Sequence, residues 1–220
     1  MSLRIMYLDE LKGFYKSRVM AFMWIGLPLL SVLLHFLRPD TKGQMSLALF
    51  STYIVTSVSG TLASIMLVVG IIHEKSKGVY PLFLVRPVKR SSILLGKFFA
   101  VGTCIAAAAV LTIAVGMAVD YFSGRGTSGK MLAEAGQSLL TAFSMMAVSS
   151  SAGILIGVLS PSVLVGVILI LYGGNQLAVL SLLPVLLKLP RPWWFSLAFG
   201  AGFAALFLYL AVAAFNKKQF

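Results

Sequence analysis

The sequence predicts an all-α polytopic membrane protein with six transmembrane helices, and three observations carry that expectation. Of 220 residues, 59% are hydrophobic and only 11% charged, with a mean hydropathy of +0.97; soluble domains carry roughly a quarter charged residues. Apolar runs long enough to cross a bilayer, about 20 residues each, recur along the chain. The net charge of +12, from 18 Lys and Arg against 6 Asp and Glu, is concentrated between those runs. A basic remainder on an apolar chain also invites a nucleic-acid reading. That class is excluded: no segment outside the runs is long enough for such a module, and the aromatic and glycine patterning of its surfaces is missing.

The chain opens on an amphipathic interfacial helix over residues 3–17. Tyr7, Leu8, Leu11, Phe14 and Tyr15 share one face of a helical wheel, while Asp9, Lys12, Gly13 and Lys16 take the other. This is the pattern of a helix lying along a leaflet. A cleavable signal peptide is not expected, because the basic region is long, contains Asp9 and Glu10, and precedes a run of span length. The spans then fall at about 19–37, 47–72, 93–119, 132–158, 163–187 and 194–215. The second contains no ionised side chain. The fourth and fifth share one uncharged stretch, Ala135–Leu187, which is too long for a single crossing and divides at Ser160-Pro161-Ser162. After Gly173-Gly174 the fifth run fits either the end of a long span or a re-entrant or interfacial helix. Pro184, Pro190 and Pro192 followed by Trp193-Trp194 mark an interfacial turn with an aromatic anchor before the last span.

Orientation follows from the basic residues. Arg4, Lys12, Lys16, Arg18, Lys75, Lys77, Arg86, Lys89, Arg90, Lys97, Lys217 and Lys218 fall on one side, twelve of the 18. Arg38, Lys42, Arg125, Lys130, Lys188 and Arg191 fall on the other. The richer side is expected to be cytoplasmic, with both termini inside and the chain multi-pass in the plasma membrane.

Reactive chemistry is scarce. No catalytic residue and no metal site is expected: the single Cys104 lies within a span, and His35 and His73 sit at opposite span ends. Asp120 and Glu134 flank an outer loop that offers no obvious pocket for acid–base work. Ser149-Ser150-Ser151 reads as packing, since no base lies at matching depth. Gly96-Lys97 is followed by Phe98 and has no upstream glycine at Walker A spacing, so this chain is not expected to hydrolyse ATP. Ion-coupled carriers place ionisable groups inside the membrane. These spans contain essentially none, so the energy for any transport is expected to come from elsewhere.

The most informative segment is the cytoplasmic loop 73–92. Glu74 and Lys75 leave the membrane, and Gly78 permits a sharp turn. Tyr80, Leu82, Phe83 and Leu84 are too apolar for a free aqueous loop, Pro87 ends that short element, and Lys89 and Arg90 mark the return. The composition suits a docking surface for a cytoplasmic partner; an interfacial loop dipping into lipid fits it equally.

The segment resembles the connection between the second and third spans of ABC-2-type transporter permeases. There a Glu and a basic residue leave the second span, followed by a Gly, a short coupling helix, a Pro with basic neighbours, and a small-Lys pair opening the third span. The matching residues are Glu74, Lys75, Gly78, Pro87, Arg90, Gly96 and Lys97. The family often has Thr after the Gly and an acidic residue two positions on, where this chain has Val79 and Pro81. The interfacial helix, six spans and cytoplasmic termini extend the resemblance over nearly the whole chain.

The resemblance implies a half-transporter: two permease subunits, identical or paired with a related chain, with two separate ABC ATP-binding subunits. ATP and Mg would be bound by those partners and no cofactor by this chain. Glu74, Lys75, Gly78, Tyr80, Leu82, Phe83, Leu84, Pro87 and Arg90 would form the docking and coupling site of an exporter. The second and fifth spans would approach the second subunit around the substrate route. On the second span, small residues Thr52, Thr56, Ser59, Gly60 and Ala63 form a stripe; on the fifth, Tyr172, Asn175 and Gln176 are the most polar group. Hydrogen bonding of those three to neighbouring helices is preferred over substrate contact. Gly153 and Gly157 form a face expected to pack within one subunit. A stand-alone channel or facilitator, or a non-transporting scaffold, are the alternatives.

Overall fold

A computed structural model describes residues 3–16, 18–37, 47–78, 90–122, 129–180, 183, 187 and 192–217. The described chain is almost entirely helical. In order come α1 (Leu3–Tyr15), α2 (Arg18–Leu37), α3 (Leu47–Ser76), α4 (Arg90–Phe122) and α5 (Gly129–Leu159). They are followed by α6 (Val163–Leu169), a π-helical turn (Ile170–Gly174), α7 (Asn175–Val179) and α8 (Pro192–Lys217). Among the described residues, four helices carry stretches long and apolar enough to cross a membrane: Val58–Ser76, Ser91–Phe122, Ala135–Leu159 and Trp193–Lys217. The protein is thus a helical chain with the makings of a multi-pass membrane protein.

Helix α3 is the centre of the bundle, packing on α5 and α4; α5 carries α8 on its far side, while α1 and α2 lie against α4. The α3–α5 contact is close because both faces are small. A Cβ at Gly153 would stand 2.9 Å from the Cα and carbonyl oxygen of Ser64, so any side chain there would collide with α3 backbone. Gly157 faces Val68 and Ile71, and Gly60 faces Ser149. With no hydrophobic drive between helices in lipid, such backbone proximity is what dispersion packing requires. The Gly153–Gly157 face therefore packs inside the chain, as its spacing suggested. On the other side of α5, Ser144 Oγ donates to the Ser196 carbonyl of α8 at 2.6 Å. Side chains of α1 to α5 and α8 meet in one core that includes Met6, Leu27, Leu67, Leu94, Ile105, Ile154 and Phe215. The embedding is uneven: 67% of the α5 span is buried against 17% of the α8 span.

One boundary differs from the sequence expectation. The loop expected to begin at residue 73 begins later, because α3 continues to Ser76 and ends at Gly78, whose φ of 63° lies in the left-handed region. Lys77 N–H bonds the His73 carbonyl and Gly78 N–H the Lys75 carbonyl, closing the last turn. Glu74 and Lys75 are helical residues, held in place by partners described below. The run expected over 163–187, as one long span or as a span ending in a re-entrant or interfacial helix, proceeds through α6, the π turn at Ile170–Gly174 and α7 without a gap. Ser162 caps α6, its Oγ accepting from Val165 N–H.

Candidate functional site

Charged side chains converge at the α1 end of the bundle. Lys97 lies two turns into α4 between Gly96 and Phe98 and is only 3% exposed. A buried ammonium is tolerated only where opposite charge meets it. Here two carboxylates do: Glu10 of α1 at 2.6 Å and Glu74 of α3 at 2.5 Å. The absence of a side chain at Gly96 lets the α1 backbone approach, with Met6 and Tyr7 against it. One turn further along α1, that contact sets Glu10 over Lys97. The second carboxylate oxygen of Glu74 is buried without a hydrogen-bond partner among the described residues. A cleft of about 390 Å³ opens beside the cluster, lined by Asp9, Glu10, His73, Glu74 and Lys97 together with Met6, Phe14, Met66 and other apolar groups.

The neighbouring residue does something different. Successive helical positions are about 100° apart at 3.6 residues per turn, so Lys75 points away from Glu74. Its ammonium donates to the Ser160 carbonyl at 3.2 Å, at the break between α5 and α6. The end of α3 is thereby tied on one side to α1 and α4, and on the other to the α5–α6 elbow. Together these contacts join α1, α3, α4 and the α5–α6 elbow where α3 ends. Among the described residues, no group of three or more His, Cys, Asp or Glu is arranged to hold a metal ion.

The residues expected to dock a partner divide. Glu74, Lys75 and Gly78 stand at the α3 end as described. Tyr80, Leu82, Phe83, Leu84 and Pro87 lie outside the described residues, and Arg90 opens α4 with its side chain outside them. Of the small-residue stripe, Ser59, Gly60 and Ala63 are buried within the chain, with Gly60 against α5. The side chains of Thr52, Thr56 and Asn175 are outside the described set. Tyr172 is 80% exposed on the π turn, and Gln176 is exposed beside it. Asp120, read as flanking a wet loop, is buried within α4.

The sequence places Glu10 in the interfacial helix and Lys97 among the topological and motif residues, and their pairing was missed. The one local hint was of burial, not of partners: Lys97 sits in the apolar run Leu94-Leu95-Gly96-Lys97-Phe98-Phe99. Compared with known proteins, the chain matches no family model and no curated protein.

Proposed function

We propose that the chain is the membrane-spanning permease subunit of an ATP-driven exporter of the ABC-2 type. It would cross the membrane six times, through α2, α3, α4, α5, the α6–α7 segment and α8, with both termini cytoplasmic. The observation that carries this reading is the contact of Glu74 with Lys97. These two residues flank the 77–89 connection on which the family resemblance rests, and they meet at 2.5 Å with Glu10 on the same ammonium. A push delivered on that connection by an ATP-binding subunit would reach α1, α3 and α4 through the ion cluster. Lys75 would carry it to the α5–α6 elbow. Substrate would move by alternating access, and ATP and Mg would be bound by the partner.

The test is co-purification with a Walker A ATPase, followed by transport in reconstituted vesicles. Flux requiring both ATP and that partner supports the proposal. ATP-independent flux would indicate a channel, and absence of flux and partner a scaffold. Replacing Tyr80, Phe83 and Leu84 together with Asp is expected to abolish ATPase association, measured by pull-down from detergent; unchanged association would remove the docking role of the loop.

A further inference from the structure

Helix α1 has two flanks of opposite electrical character. Its acids face the α3 side, where Glu10 is spent on Lys97 and Asp9 lines the ion-cluster cleft. The other flank borders a separate cleft of about 340 Å³ between α1, α2 and α4. Its walls include Leu11, Tyr15, Trp24, Cys104 and Ala107, and among its described lining residues Lys12 alone is charged. Lys16, one turn beyond, is exposed, and its N–H bonds the Lys12 carbonyl at 3.3 Å, extending the helix so that both lysines share this edge. The floor is fixed: Trp24 Nε1 donates to the Cys104 carbonyl at 3.2 Å, and Tyr15 meets the Trp24 ring edge-on at 5.8 Å between centroids.

We propose that this cleft holds an anionic phospholipid, its acyl chain against α2 and α4 and its phosphate at Lys12 and Lys16. The cleft wall is apolar below and cationic at one rim, which matches the amphipathic build of a phospholipid. Lysine stems lie along apolar surface while their ammonium groups reach the headgroup level, and Tyr and Trp favour the same depth. Charge complementarity selects the anionic class, because Lys12 is the one charged residue among the described lining, while Asp9, the nearest acid on α1, lines the other cleft. Exposed Leu8 and Ile5 extend the apolar contact along α1.

The experiment uses the full chain in detergent, equilibrated with equimolar phosphatidylglycerol and phosphatidylcholine, with retained lipid counted by native mass spectrometry. Surface lysines each favour anionic lipid by roughly fivefold, so phosphatidylglycerol is expected to be retained about fivefold or more over phosphatidylcholine. The double variant K12Q/K16Q should bring the ratio to parity, while K217Q, at the far end of the chain, should leave it unchanged. Ala107→Trp, which fills the cleft, should lower retention of both lipids. Equal retention by the unmodified chain overturns the proposal, as does a preference that survives K12Q/K16Q. A change of oligomeric state in Ala107→Trp without loss of lipid would assign the cleft to a second copy and overturn it too.

Discussion

Lys97 concentrates more of the structure than any other single side chain described. Its two carboxylate partners come from helices distant in sequence, and both retain some exposure, 19% for Glu10 and 26% for Glu74. Residual water softens the pairs, yet the ammonium itself is enclosed. Removing it in Lys97→Met leaves two acids facing each other and is expected to destabilise the fold by about 3 kcal/mol, read from the thermal unfolding of the purified protein. Glu10→Gln should cost less, since Glu74 still meets the charge. The double variant Lys97→Met/Glu10→Gln should be less unstable than the two single effects combined predict, because the groups share one network. Strict additivity would mean that the cluster does not act as a unit.

At the level of the helix, the α3–α5 seam depends on side chains that are not there. Gly153→Leu would drive atoms into the Ser64 backbone and is expected to cost at least about 2 kcal/mol. Gly102→Ala on α4, where nothing stands within 4 Å of the added carbon, should be neutral or stabilise by up to about 1 kcal/mol. Thermal unfolding in detergent separates the two. This seam was legible in the sequence because glycines spaced by four residues declare a common face. So was the elbow at Ser160-Pro161-Ser162, where α5 ends. The orientation of polar faces was less legible. Ser59 and Gly60 form a plausible stripe for any neighbour, and only the fold shows that the neighbour is α5 of the same chain. Likewise the pairing of Glu10, Glu74 and Lys97 joins residues up to 87 positions apart, a distance that no local pattern encodes. The π turn at Ile170–Gly174 left a trace in Gly173-Gly174, but the outward aim of Tyr172 did not.

The molecule as a whole is a spine with flanks: α3 and α5 inside, α4 with α1 and α2 on one side, α8 on the other. The six crossings proposed above, with both termini inside, predict a labelling pattern. In a background with Cys104 replaced by Ala, cysteines at Lys16 and Asn216 should react with an impermeant maleimide from the same side, and one at Tyr121 from the opposite side. Reaction of Lys16 and Asn216 positions from opposite faces would exclude an even number of crossings. The unmodified Cys104, only 4% exposed in the wall of the α1–α2–α4 cleft, should react with a permeant maleimide more slowly than the cysteine at Tyr121. The ties at the end of α3 also restrict how the chain can change length. Ser64 is locked to Gly153, and ten positions later Glu74 and Lys75 address opposite neighbours. That interval works as a vernier between two fixed scales. One residue inserted there would turn the charged end by about 100° and advance it by about 1.5 Å, mispairing both residues at once. Descendants of this sequence should therefore keep the Ser64–Glu74 interval constant.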